Sequence, residues 1–96
     1  MHAMVRSYSG KGAKEFADLI ENRKADVEKV LRSVKGLVSY AMVRSKDGAF
    51  SVSVWQDKAG IDEVHKKAME WIKENASATK VGAPTVSEGS VILHLK

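Results

Sequence analysis

Hydrophobic and polar positions change period several times along this chain, and each change predicts an element. Ala3 to Tyr8 alternates and stops at Ser9-Gly10-Lys11-Gly12, which reads as a strand followed by a loop. From Ala13 to about Lys35 the step lengthens. Phe16, Ala17, Ile20, Val27, Val30, Leu31 and Val34 recur every three or four residues, the spacing of one helix face. Arg23 and Lys24 interrupt that stripe halfway, so a kink or break is expected there, and Gly36 ends the helix as a C′ glycine does. Leu37 to Arg44 reads as a second strand and Ser45-Lys46-Asp47-Gly48 as a hairpin turn. Ala49 to Gln56 reads as a third strand, with Ser51 and Ser53 alternating against Phe50, Val52 and Val54. Asp57-Lys58-Ala59-Gly60 opens a second helix to about Asn75, whose apolar positions are Ile61, Val64, Ala68, Trp71 and Ile72. Ser77 to Glu88 is small and polar and contains Pro84, so a loop is expected; Val91 to Leu95 is the predicted last strand.

The order β-α-β-β-α-β predicts an α+β, ferredoxin-like fold: an antiparallel four-stranded sheet with both helices on one face. The other face is left uncovered. Tyr40 and Met42 alternate with Ser39, Ala41 and Val43, while Phe50 and Val54 alternate with Ala49 and Trp55. Apolar groups therefore fall on both faces, where a sheet with one wet face should be polar on that side. An open apolar face marks an interface, and the expected occupant is a second copy, giving a homodimer through the open sheet face.

Composition narrows the function more than the fold. The 96 residues fit one domain, expected to span 1–96. With 44% hydrophobic and 29% charged residues the chain is ordinary globular, which excludes disordered and low-complexity classes. The absence of Cys excludes a disulfide framework, a thiolate zinc site, an iron–sulfur cluster and a Cys nucleophile. No apolar run reaches the roughly 20 residues that span a bilayer. Met1-His2-Ala3-Met4-Val5-Arg6 has no apolar leader core, so a cytoplasmic location is expected. The net charge of +4 is spread among both signs: Arg23-Lys24 lies between Glu21 and Asp26, and Lys66-Lys67 between Glu63 and Glu70. Such charges read as solvated helix faces, whereas a nucleic-acid footprint is a basic stripe largely free of acids. RNA-binding modules of this topology stack bases on aromatics from strands one and three. Here Val52 follows Phe50 on the same face and strand one offers only Tyr8, so no nucleic-acid partner is expected.

Several segments together carry a resemblance. Tyr40-Ala41-Met42-Val43-Arg44, Asp47-Gly48, Ser51-Val52-Ser53-Val54-Trp55-Gln56-Asp57, Gly60-Ile61-Asp62-Glu63 and Trp71-Ile72-Lys73-Glu74-Asn75 resemble uncharacterised small bacterial proteins of the dimeric α/β-barrel superfamily. That superfamily includes the antibiotic-biosynthesis monooxygenase-like proteins. The match covers essentially the whole chain, chiefly as a fold signature. It implies a homodimer and, in some members, an aromatic ligand held between helices and sheet and oxidised without metal or flavin. Related members degrade haem with an Asn on the first strand and a His and a Trp on a helix. Here Met4-Val5-Arg6-Ser7-Tyr8 contains no Asn, and Trp71 follows His65, an order that departs from that pattern.

The candidate chemistry is sparse. His65, four residues after Ile61 and three before Ala68, borders the apolar helix face; it reads either as a core-edge histidine or as a general base. Trp55 ends the third strand and either caps the core or lines a pocket mouth. Trp71 has helical spacing from Ala68 and Asn75, which fits a core position, and the Tyr40 phenol needs a partner if buried. Phe16 and Tyr8 add to the same candidate lining. His2, His94 and Asp57 converge at one end of the expected sheet; two His and a carboxylate suit a divalent metal, but the spacing is not motif-like and no metal is expected. Gly10-Lys11-Gly12 lacks the Walker pattern and reads as a strand-to-helix loop. No flavin-type glycine fingerprint is present, and no cofactor is expected. The expected function is binding of a small apolar or aromatic molecule, with Tyr40, Trp55, Trp71 and Phe16 as the lining, or service as an assembly module. A pocket near Tyr40, Trp55 and His65 distinguishes the two. The alternative, implied by the resemblance, is a cofactor-independent monooxygenase with His65 as base, acting on a phenolic or quinol-like substrate that supplies its own electrons.

Overall fold

In the computed structural model, which describes residues 1–96, the chain forms a four-stranded sheet with its helices against one face. Strand β1 (His2–Ser9) is followed by helices α1 (Ala13–Asn22) and α2 (Lys24–Arg32), then by strands β2 (Leu37–Ser45) and β3 (Gly48–Trp55). Helix α3 (Lys58–Asn75), a short 3-10 turn (Ser77–Thr79) and strand β4 (Thr85–Ser90) complete it. The spatial order is β2-β3-β1-β4, and every pairing is antiparallel. This is the expected ferredoxin-like topology.

The first predicted helix is two. Arg23 leaves helical geometry (φ −121°, ψ 31°) and caps both pieces. Its N–H bonds Ile20 three residues back rather than four, and its own carbonyl accepts from Val27 to start α2. The Arg23 side chain pairs with Asp26 and reaches Asn75 Oδ1 at 3.3 Å, with its guanidinium 5.7 Å from the Trp71 ring centre. The break thus lets α2 leave the axis of α1, and α2 contains no buried residue. Asp57 caps α3 by accepting from the Gly60 N–H at 3.2 Å, which satisfies one of the orphan donors of a helix start.

The last strand differs from expectation. The strand is Thr85–Ser90, inside the stretch expected to be loop, and Val91–Leu95 lies beyond it. All six β4 residues are exposed, so neither face leaves a hydrophobic pattern to read. Backbone pairing with β1, from Ser7↔Thr85 to His2↔Ser90, defines it instead. The apolar run that looked like a strand leaves Ile92 98%, Leu93 75% and Leu95 82% exposed.

Two glycines mark close approaches. A Cβ at Gly12 (φ 82°) would lie 2.3 Å from the Thr79 carbonyl oxygen, and one at Gly48 would lie 2.2 Å from that of Tyr8. Only a residue without a side chain lets the 79–81 segment cross the start of α1 and lets the β2–β3 hairpin press on β1.

Strand parity assigns the two sheet faces. Met4, Arg6 and Tyr8 of β1 and Ala49, Ser51, Ser53 and Trp55 of β3 are buried beneath the helices. Val5, Ala41, Val43, Phe50, Val52 and Val54 share the opposite, open face, where Val43 is 38% and Val52 36% exposed. The charges behave as solvated pairs, as in Arg32–Glu28, Lys58–Asp62 and Lys67–Glu63 at i,i+4.

Candidate ligand-binding site

Between the sheet and the helices lies a cavity of about 60 Å³ bordered by 16 residues, 13 of them hydrophobic. Its floor follows from the residues of β3. Across the strands, Arg6 pairs in register with Ser51 and Ser51 with Met42; Met4 pairs with Ser53 and Ser53 with Tyr40. Each row thus has a short serine at its centre, with longer side chains to either side. Helix α2 passes over this region with Val27, Val30 and Leu31 only partly buried, so the space is not filled from above. Tyr8 and Phe16 form one wall, their ring centres 4.4 Å apart at 40°.

Phe16, Tyr40 and Trp71, candidates from the sequence, all line this cavity, contributed by α1, β2 and α3. Trp55 does not. It is completely buried in a neighbouring cluster with Met4, Val34, Ile61 and Val64, and its Nε1 has no hydrogen-bond partner. His65 does not line the cavity either, but its half-buried ring reaches a residue that does: Nδ1 lies 2.6 Å from Arg6 Nη1. A guanidinium only donates, so Nδ1 accepts and the ring carries its proton on Nε2. His65 Nδ1 is therefore occupied by Arg6. His2, His94 and Asp57 do not assemble into a group able to hold a metal ion. The Gly10-Lys11-Gly12 turn borders an open recess lined by no hydrophobic residue, in which Lys11, Lys14 and Lys46 are mixed with Glu15 and Asp47.

Arg6 is the residue that sequence reasoning missed. It is 4% exposed on a central strand, and it borders the cavity. Its Nη2 donates to Tyr8 Oη at 2.8 Å and to Met69 Sδ at 3.4 Å. The signal lay in strand parity: Arg6 is in phase with Met4 and Tyr8, so it shares their buried face. Both phenols of the site are shifted. Burial holds the Tyr8 hydroxyl above its ordinary value, with Arg6 pulling the other way through charge and hydrogen bond. Burial also raises that of Tyr40, with the neighbouring Ser51 pulling the other way. Both therefore remain neutral hydroxyl groups at neutral pH.

No family model and no curated protein sequence matches this chain. Solved structures do. MhuD, with two manganese protoporphyrin IX molecules bound in each active site, superposes with a TM-score of 0.69 at 14% identity, covering 99% of this chain and 97% of that one. SnoaB, a cofactor-independent oxygenase from Streptomyces nogalater, gives 0.67 at 16% identity over 98% and 95%. The chain has their fold. A dimeric ferredoxin-like protein from an uncultured marine organism gives 0.69 at 10% identity over 99% and 95%. The resemblance to the dimeric α/β-barrel superfamily thus holds at the level of fold, and identities this low extend it no further.

Proposed function

We propose that this chain acts as a cytoplasmic homodimer in which each protomer holds a small, mainly apolar or aromatic molecule between sheet and helices. The observation that carries the ligand reading is the hollow itself: about 60 Å³ of free space, bordered by 13 hydrophobic residues that include aromatic rings from four different elements. Interiors are normally filled, and an apolar cavity with a few converging polar groups is the usual form of a small-molecule site. Tyr40, Trp71 and Phe16 are the proposed ligand contacts, with Tyr8 added. Trp55 packs against Met4 and Val64, which border the cavity, and is not itself a proposed contact. Melting temperatures measured with a panel of charged and uncharged aromatic compounds test this: a binder raises the midpoint by mass action. A panel of single-ring and double-ring compounds that leaves the midpoint unmoved at millimolar concentration overturns it.

The dimer reading rests on the apolar open face, on the exposed Ile92, Leu93 and Leu95, and on a structural neighbour described as dimeric. Sedimentation at micromolar concentration should give twice the protomer mass. Val52→Asp, centred on the open face, should give a folded monomer, because burying an unpaired carboxylate costs several kcal/mol. A wild type that sediments as a monomer throughout sinks the idea.

A second reading, oxygenation without a cofactor, is favoured by the likeness to SnoaB and by the aromatic cavity. There dioxygen would be the oxidant and a phenolic or quinol-like substrate the reductant. His65 is the candidate proton acceptor, and it takes a proton at Nδ1 only after Arg6 releases that nitrogen. Oxygen consumption with a set of phenols, in wild type and His65→Ala, tests it.

A further inference from the structure

One permanent charge borders the cavity, and it has no ion-pair partner in the chain. Arg6 is 4% exposed, and none of the seven ion pairs of the protein includes it. Its partners, Tyr8 Oη, His65 Nδ1 and Met69 Sδ, are all neutral acceptors. Tyr8 and Tyr40, which border the same cavity, are held in the neutral form by burial. A guanidinium does not lose its proton in proteins. Removing such a cation from water without an opposite charge is costly, and an apolar side chain of similar volume usually serves stability better. Arg6 is thus a poor choice for packing alone. Its fork matches the two oxygens of a carboxylate, which takes the Nη2 proton now given to the weak acceptor Met69 Sδ at 3.4 Å together with a free N–H beside it.

We propose that the ligand of this cavity carries a carboxylate on its apolar body, and that Arg6 binds that carboxylate. The proposal rests on the cavity being a ligand site. Tyr8 accepts from Arg6 and so has its own O–H left to donate to the same anion. His65, accepting at Nη1, is a positioning residue that holds the guanidinium at the cavity wall. The ligand's apolar body lies against Phe16 and Trp71.

Benzoate, benzamide and benzamidine share one shape and are anionic, neutral and cationic; naphthoate and naphthamide repeat the comparison with a larger body. Calorimetric titration of the full chain should show each acid binding about tenfold or more tightly than its amide, with benzamidine the weakest. Arg6→Met should reduce the preference for acid over amide to near parity while raising the melting temperature of the free protein. Arg6→Lys, which keeps the charge without the fork, should fall between. Amides binding the wild type as tightly as the acids overturn the carboxylate assignment and leave the cavity reading standing. Failure of all five compounds overturns both. An Arg6→Met variant that melts lower yet keeps the acid preference makes Arg6 structural and also overturns the assignment. The wild-type comparison decides the matter alone if that variant does not fold.

Discussion

The two ends of the space beneath the helices are built from the same strands and packed in opposite ways. At one end Trp55 closes it, touching Met4, Val34, Ile61 and Val64 with no exposed surface of its own. Towards the other, Tyr8, Ala13, Phe16, Ile20 and Ala76 form a second cluster that adjoins the cavity. The difference traces to a single strand. On its buried face β3 presents Trp55 at one end and only serines and an alanine along the rest. A tryptophan seals one end, and beyond it side chains too short to meet α2 leave hollow space. Close packing around Trp55 and in the Tyr8–Phe16 cluster lets the interior between them hold unfilled space and a buried cation without unfolding the protein.

Truncating the seal should therefore have the largest effect. Trp55→Ala is expected to cost about 3–5 kcal/mol, the usual range for removing a buried Trp or Phe. Chemical denaturation of the variant measures it. Trp55→Phe is the sharper probe. It keeps most of the ring while removing an N–H that has no partner, and an orphaned buried donor costs about 1–3 kcal/mol. The Phe variant should lose well under half of what the Ala variant loses. Equal losses in the two would mean that the indole N–H has a partner after all and that the sealed end is held by polarity rather than by packing.

Much of this architecture was legible in the sequence, and the failures have specific causes. Periodicity found α3 and the interruption at Arg23, because in each case one face meets water and the other does not, and the Asp47-Gly48 turn signal found the hairpin. It failed at β4, where all six residues are exposed and the strand exists through backbone pairing alone. The site was half legible. Large rings at Phe16, Tyr40 and Trp71 were visible as candidates from size alone, and Trp55 was visible as a large ring without its neighbours. Arg6 was not found, since a charge in a short strand reads as its wet side. Ser51 and Ser53 invert the usual rule: they are 3% and 2% exposed, while Val52 between them lies on the open face. A strand with serines inside and valines outside fits a sheet that borders a cavity on one side and leaves an apolar face open on the other, the face on which the proposed dimer rests.

The second contrast uses added rather than removed volume. Ala68 borders the cavity from α3, so Ala68→Leu should extend into free space, with the melting temperature unchanged or raised by up to about 1 kcal/mol equivalent. Aromatic ligands should then no longer bind. At the sealed end there is no such room. A Cβ at Gly60 would lie 3.0 Å from Trp55 Cε3 and 3.2 Å from the Lys35 carbonyl oxygen. Gly60→Ala should forfeit the roughly 1 kcal/mol that alanine normally gains over glycine in a helix, and thermal melts of both variants side by side give the comparison. A full gain at Gly60 with a loss at Ala68 would reverse the assignment of which end is hollow.

The smallest expected effect appears at high pH, and it too separates the ends. The Trp55 cluster contains no titratable group, whereas Tyr8 and Tyr40 border the cavity with hydroxyls that burial holds above their ordinary value of 10.0. The unfolded chain therefore releases these protons first. Their contribution is complete below about pH 10, and stability falls as pH rises from there through the folded-state values, the unfolded state binding fewer protons in that window. Lys58 adds a loss of the same sign, since Glu88 and Asp62 hold its ammonium on, so the wild type alone does not isolate the phenols. Tyr8→Phe/Tyr40→Phe does. The double variant starts from a lower stability at neutral pH, having lost the oxygen acceptor of Arg6 Nη2 and kept only Met69 Sδ, but its decline above pH 10 should be shallower than that of the wild type. Urea unfolding at a series of alkaline pH values reads that slope, and tyrosinate absorbance in the folded wild type should rise later than in the unfolded chain. Parallel slopes would mean that water reaches both phenols and that the cavity is open enough to solvate them.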